Sequence, residues 1–361
     1  GNPQGNTVLG IDAGSSLQGQ ANNTLIGNDA GKNFGLSPFA SNITCVGAFA
    51  GLSNTSGGGV TYIGYQAGQG QGGAANTAVG HQALGKSSSS SGTANVAIGD
   101  RAGLNAGGSQ STLIGFQTAY SSGTGLNDTI LIGYRAGYGT NAANLVQIGS
   151  EAAKNNSAAG HISIGYQAGY SQTSGTKNTN VGYKAGYSTT TGTSNTTLGY
   201  NTLGYHNGNN NVAIGTDAMQ GASFFSGTGD DNVAIGFNAG SGSQPTAFSN
   251  SILIGKDAAT SPLGQSNFIV LGNSSHTTLQ IPGIQSGASD GDVLTYNASA
   301  GKLELQAAGG GGATSLNGLS DCLVDSTLDS LYVGVVPAGL SGTPRDNAVL
   351  GINAGNALPA A

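Results

Sequence analysis

Tryptophan is absent from the 361 residues, methionine occurs once, and charged residues make up only 7% of the chain. The ten Lys and Arg are scattered without clusters, so no basic patch is available and nucleic acid is not an expected partner. The two cysteines, Cys45 and Cys322, are too few and too far apart for a disulfide framework. Cys45 reads as an ordinary strand side chain. No apolar run approaches the roughly 18 residues that span a bilayer, so no membrane insertion is expected. A basic start followed by an apolar core, the mark of a signal peptide, is also missing. Starting at Gly1 without Met, the sequence reads as a fragment or processed piece. The formal charge of −6 is mild and dispersed.

What is abundant is glycine, 66 residues of it. Glycine with Ser, Thr, Asn and Ala at such levels ordinarily signals flexible low-complexity sequence. The placement of the aliphatic residues defeats that reading. A glycine preceded by Ile, Val or Leu recurs at Gly10, Gly27, Gly47, Gly64, Gly80, Gly99, Gly115, Gly133, Gly149, Gly165, Gly182, Gly199, Gly215, Gly236, Gly255 and Gly272, with gaps of 16 to 21 residues. Disorder does not hold such a register. A period this short predicts an all-β solenoid of about 16 coils, one coil per repeat.

Each repeat carries the same local signature. The residue three before the glycine is always β-branched, as at Thr24, Thr112, Val212 and Ile252. Together with the aliphatic one before the glycine it forms one face of a short strand, since positions two apart share a face. That shared face is expected to point inward. Its core rank comprises Ile63, Ile98, Ile114, Ile132, Ile148, Ile164, Ile214, Ile235 and Ile254. The residue between the two is permissive (Val8, Tyr62, Ala97, Gln147, Asn180, Thr197) and is expected to point the other way. Asn often opens the strand, where its side chain can bond neighbouring backbone or stack into ladders. Ala follows three residues past the glycine in 13 of the 16 repeats, implying a very narrow lumen. Two aliphatics per coil bury too little to offset the ordering of a whole repeat, so an obligate oligomer is expected.

These residues match a known pattern. Asn211-Val-Ala-Ile-Gly215-Thr-Asp-Ala218, with its counterparts at Asn76–Ala83 and Asn232–Ala239, resembles the head repeats of YadA-like trimeric autotransporter adhesins. Ile63–Gly68 and Ile164–Gly169, both Ile-Gly-Tyr-Gln-Ala-Gly, are still more similar to repeats of bacteriophage tail-fibre proteins. The resemblance covers Asn6 to about Ser275. It implies a left-handed parallel β-roll, three chains around a threefold axis, and a homotrimeric virion fibre that attaches to a host cell-surface glycan or protein receptor. The adhesin resemblance implies instead the head of a bacterial surface adhesin. A passive fibre spacer, with its receptor-binding tip elsewhere, is a third reading. Two departures stand out: these coils are longer than the adhesin's, and the adhesin's anchor and coiled-coil stalk are missing here.

The organisation expected from these patterns is a β-roll over 1–275, a cap strand and β-hairpin connector over 276–308, a Gly linker over 309–312 and a small connector module over 313–345. A further β-roll then starts over 346–361, where Asn347-Ala-Val-Leu-Gly351 restarts the repeat. The cap strand is placed at Leu279–Ile284, with Pro282 unable to donate to a ladder. The hairpin is placed around Asn297–Gly301.

Tyrosines are the most suggestive side chains for a site. Tyr65, Tyr134, Tyr166, Tyr183 and Tyr200 directly follow the repeat glycine, joined by Phe116 and Phe237, and Tyr138, Tyr170 and Tyr187 form a second rank four residues further on. Stacked coils bring consecutive rings close to the strand spacing of about 4.8 Å, giving a surface aromatic ladder. Such a ladder can grip glycans, or can brace coil corners and subunit contacts. His81, His161, His206 and His276 lack the spacing of a metal site and read as exposed loop residues. Glu occurs only at Glu151 and Glu304, far apart for paired-carboxylate chemistry, and no nucleophile arrangement stands out. No enzymatic activity, cofactor or metal is expected.

Overall fold

The computed structural model describes residues 5–34, 40–54, 57–85, 92–123, 125–221, 228–241, 248–259 and 266–276, and beyond these the backbone of five short strands. The chain divides into two compact units, Gly1–His276 and Thr277–Ala361. The first is a parallel β-solenoid. Sixteen three-residue strands, from β1 (Thr7–Leu9) to β16 (Ile269–Leu271), stack in sequence order without a crossover. Every neighbouring pair is parallel and in register, so each repeat position forms a column along the stack. No α-helix occurs among the described residues.

The repeat glycine makes the stacking possible. From Gly10 to Gly255 its φ lies between 123° and 138°, in territory that L side chains rarely enter. A Cβ there would collide with the backbone of the next coil: it would lie 2.5 Å from the Gly80 carbonyl oxygen at Gly64, and 2.7 Å from that of Gly215 at Gly199. Only bare Cα atoms let adjacent coils approach this closely. The residue two past the glycine is also left-handed, whatever its type, as Gln66, Arg101, Glu151 and Lys184 show with φ of 53–56°. Stacking sustains this strain in coil after coil.

A second column ties the turns together. Asn178, Asn195, Asn211 and Asn232 are buried just ahead of their strands. Backbone N–H groups of Asn195, Asn211 and Asn232 donate to the Oδ1 of the preceding Asn at 2.8, 2.9 and 3.0 Å. Each Nδ2 in turn donates to a carbonyl of the following coil: Asn178 to Gly192 at 2.7 Å, Asn195 to Gly208 at 2.9 Å and Asn211 to Gly229 at 3.0 Å. One side chain thereby satisfies a buried donor and a buried acceptor that the short strands cannot reach.

The inward face is the reverse of the one expected. The central residue of the strand points into the coil: Leu25, Cys45, Tyr62, Leu113, Leu131, Ala213 and Leu253 are all buried. The flanking aliphatic rank faces outward. Ile63, Ile98 and Ile254 are each 40% exposed, and Ile114, Ile132, Ile148, Ile164, Ile214 and Ile235 are half-buried. A three-residue strand in so thin a coil has room for one inward side chain, and the turn at the glycine aims the central one at the Ala column. That Ala column is buried. Size is traded across the lumen between the strand centre and the residue four past the glycine. Tyr62 and Leu131 sit with Gly68 and Gly137, whereas Ala78 sits with Leu84. In these coils a large residue at one position is matched by a small one at the other.

In the second unit, β17 (Val293–Asn297) and β18 (Lys302–Gln306) pair antiparallel; the residues between them, 298–301, lie outside the described residues. There β19 (Cys322–Asp325) pairs antiparallel with β20 (Ser330–Val333), and β21 (Ala348–Leu350) pairs parallel with β20. The expected repeat restart thus contains a strand, but one whose partner is β20. The proposed cap strand at Leu279–Ile284 and the Gly linker over 309–312 lie outside the described residues.

Replacing Gly199 with Ala should separate its coil from the next and lower unfolding free energy by roughly 2–4 kcal/mol, combining backbone strain with a backbone collision. Thermal melting followed by circular dichroism tests this; an unchanged midpoint would show that the glycine contact does not limit the stack.

Candidate functional site

The in-register turns bring the aromatic residues into two outward columns. In the column next to the repeat glycine, Tyr166, Tyr183 and Tyr200 stack continuously, with centroids 5.0 Å apart at both steps and interplanar angles of 20° and 6°. Tyr134 belongs to a separate stack, lying 5.7 Å from Phe116 at 6°. Tyr65 stands further along the roll, edge-on to Phe49 and stacked on His81 at 5.6 Å. The five expected rings therefore form three groups. All are 41–52% exposed. In the second column Tyr120 stacks on Tyr138 at 5.1 Å and Tyr170 on Tyr187 at 5.2 Å.

Cations sit beside these rings. The Lys184 ammonium is 5.6 Å from the Tyr183 centroid and 5.2 Å from that of Tyr187, and the Arg135 guanidinium is 5.2 and 5.4 Å from those of Tyr134 and Tyr138. Lys154 lies 5.5 Å from the Tyr170 ring and bonds Glu151 at 2.6 Å. That ammonium holds the Glu151 carboxyl below its usual range. These columns have consequences for binding. Within a stack each ring face is covered by its neighbour, so a ligand meets ring edges, flanking cations and the faces left at the stack ends.

A polar column that sequence reading missed runs between the two aromatic ones. Gln82 donates to Gln66 at 2.8 Å, Arg101 to Gln82 at 3.2 Å, Arg135 to Gln117 at 2.8 Å and Gln167 to Glu151 at 2.8 Å. The available signal was a position two past each glycine that is almost always Asp, Asn, Gln, Glu, Arg or Lys.

No family model, curated protein or solved structure matches this chain.

Two histidines depart from the expected exposed placement. His161 occupies the asparagine column and His206 the column seven past the repeat glycine, which turns inward; both are fully buried. His161 Nδ1 accepts from the Asn178 N–H at 3.2 Å, and His206 Nδ1 from the Gly208 N–H at 3.1 Å. His81 is also partnered, with Asp100 at 2.9 Å. Burial pushes the Cys45 thiol well above its ordinary pKa, which leaves it unreactive. No group of three His, Cys, Asp or Glu side chains able to hold a metal ion occurs among the described residues.

Desolvation lowers the His206 pKa to about 4. Its folded value lies below the unfolded value of about 6.5, so protonation favours the unfolded chain. The His206 contribution is intact above about pH 6.5 and is lost progressively as pH falls toward 4, about 3 kcal/mol in all. His206→Asn should flatten that part of the stability–pH profile, read by denaturant titration at pH 7 and pH 4.5. A parallel profile in both proteins would show that His206 is not the titrating group.

Proposed function

We propose that the chain is a segment of a homotrimeric virion fibre, a phage tail fibre, that attaches the particle to its host cell surface. The solenoid is read as a left-handed β-roll, three copies of which share a threefold axis. One observation carries this reading. The Thr and aliphatic columns flanking each strand centre form an unbroken outward apolar face over all sixteen strands, with Leu198 48% and Ile254 40% exposed in the single chain. A face so long, flat and uniform favours coverage by an identical surface, since register repeats match copy to copy. In closed threefold packing one flank of this face on each copy meets the other flank on the next, as the resemblance to fibre and adhesin repeats implies.

Attachment is assigned to the aromatic columns. Tyr166, Tyr183 and Tyr200 with Lys184, and Tyr134 and Tyr138 with Arg135, offer a half-exposed aromatic and cationic surface suited to a cell-surface glycan or protein receptor. The adhesin-head reading shares this geometry and differs in setting. A membrane-anchor barrel encoded downstream would favour it.

Mass measurement in solution should give three chains; a stable monomer would overturn the trimer. Ile148→Asp places a charge on the outward face, so it should yield monomers that keep their β circular dichroism. Leu131→Asp places one in the lumen and should unfold its coil. Identical behaviour of the two variants would contradict the assignment of faces. Replacing Tyr166, Tyr183 and Tyr200 together with Ala should reduce binding of the fibre to host cells about tenfold or more, at roughly 0.5–1.5 kcal/mol per ring. If the unmodified trimer binds no cells, the segment is a spacer.

A further inference from the structure

The lumen changes character part-way along the roll. Two apolar clusters occupy it, one from Ala13 to Ala136 and the other from Leu203 to Ala258. Between them, from β9 (Val146–Ile148) to β12 (Thr196–Leu198), the four strand centres are Gln147, Ser163, Asn180 and Thr197, all buried. The facing column, seven past the repeat glycine, adds Asn156, Gln172 and His206, also buried.

These groups do not satisfy one another. Gln147 Nε2 and Oε1, Ser163 Oγ, Asn156 Nδ2, Gln172 Nε2 and His206 Nε2 have no hydrogen-bond partner in the protein. They are six of the nine such side-chain atoms among the described residues. The other ends of three of these side chains are engaged. Asn156 Oδ1 accepts from the Ala158 N–H at 2.8 Å, Gln172 Oε1 from Asn180 Nδ2 at 3.4 Å, and His206 Nδ1 from the Gly208 N–H. Those bonds fix the amide orientations and the imidazole tautomer, so the free ends of Asn156, Gln172 and His206 are all donors.

An unpaired buried polar group costs more than its hydrogen bond would return, and several in one narrow tube would be prohibitive. The lining is most polar at Ser163. Elsewhere a small strand centre is filled by apolar neighbours, as Leu84 and Leu113 crowd Gly103 and Met219 and Phe248 crowd Gly240. Around Gly169, beside Ser163, the three nearest neighbours are instead all polar: Ser163 Oγ, Asn180 Nδ2 and Gln172 Oε1. The stretch carries no formal charge, so an ion would enter it without compensation for its lost hydration.

We propose that a short file of bound water molecules threads this stretch of each chain. Each accepts from the free amide and imidazole donors and donates to Gln147 Oε1 and Ser163 Oγ. Buried waters of this kind make about three hydrogen bonds apiece and are integral to the structure that holds them. The inference does not depend on the proposed fibre role.

A crystal structure of the unmodified assembly at about 1.5 Å tests it. Discrete water density within hydrogen-bond distance of Gln147 Nε2, Ser163 Oγ and Gln172 Nε2 is expected. Direct pairing of these side chains without intervening density would overturn it, as would an anomalous peak there after a bromide soak, which would assign the stretch to an anion. In solution, oxygen-17 relaxation dispersion counts long-lived waters. Gln147→Leu follows the arrangement already present at Leu113 and Ala119, and with Ser163→Ala it should lower that count while circular dichroism stays unchanged. An unaltered count in the folded variant would also overturn the proposal.

Discussion

Everything in the roll depends on the approach of one glycine Cα to the carbonyl of the glycine in the next coil. Strands of three residues supply few ladder bonds, and a lumen lined by Ala supplies little apolar burial. What remains is proximity. With backbones this close, the turn after each strand bonds to the turn above it, and the asparagine column reaches the groups that the strands leave free. The left-handed residue two past each glycine persists because its neighbours in both directions hold the same conformation. Lengthening a loop leaves this contact untouched, which is why repeats of 16 and 21 residues stack in a single register.

Much of this was legible in the residues. The glycine spacing locates all sixteen strands, the Ala column marks the narrow lumen, and consecutive Tyr166, Tyr183 and Tyr200 imply a continuous stack. The direction of the strand faces was not legible. Alternation shows that Thr179 and Val181 share a side and that Asn180 takes the other, but not which side is inside. Uniform aliphatics invite a core assignment, yet uniformity is what a surface needs when it must match itself from coil to coil. The true core is heterogeneous, because one inward residue per coil can trade volume with a neighbour, as Tyr62 does with Gly68. Asn180 and Gln147 read as surface residues for the same reason that Ile148 reads as core.

The candidate site was half legible. Spacing identifies the tyrosine columns but not the cations lodged between them, since Lys184 and Arg135 reach their rings only once the turn has placed the two columns side by side. The buried histidines were misread because their columns are filled mostly by Asn, Thr, Gln and Ser, residue types that suggest solvent. In a coil this thin, polarity is a poor guide to exposure when backbone groups line so much of the interior.

The asparagine column also gives the roll a sense of direction. From Asn178 to Asn211 each Oδ1 accepts from the coil that follows it, and each Nδ2 donates to a carbonyl of that same coil. The two ends of any stretch of coils are consequently unlike: one offers carboxamides and the other offers the backbone groups that carboxamides engage. Two like ends cannot seal against each other, whereas unlike ends fit. Rolls of this kind can be joined in series only with the same polarity, so orientation along a filament is written into each turn rather than imposed by a separate cap.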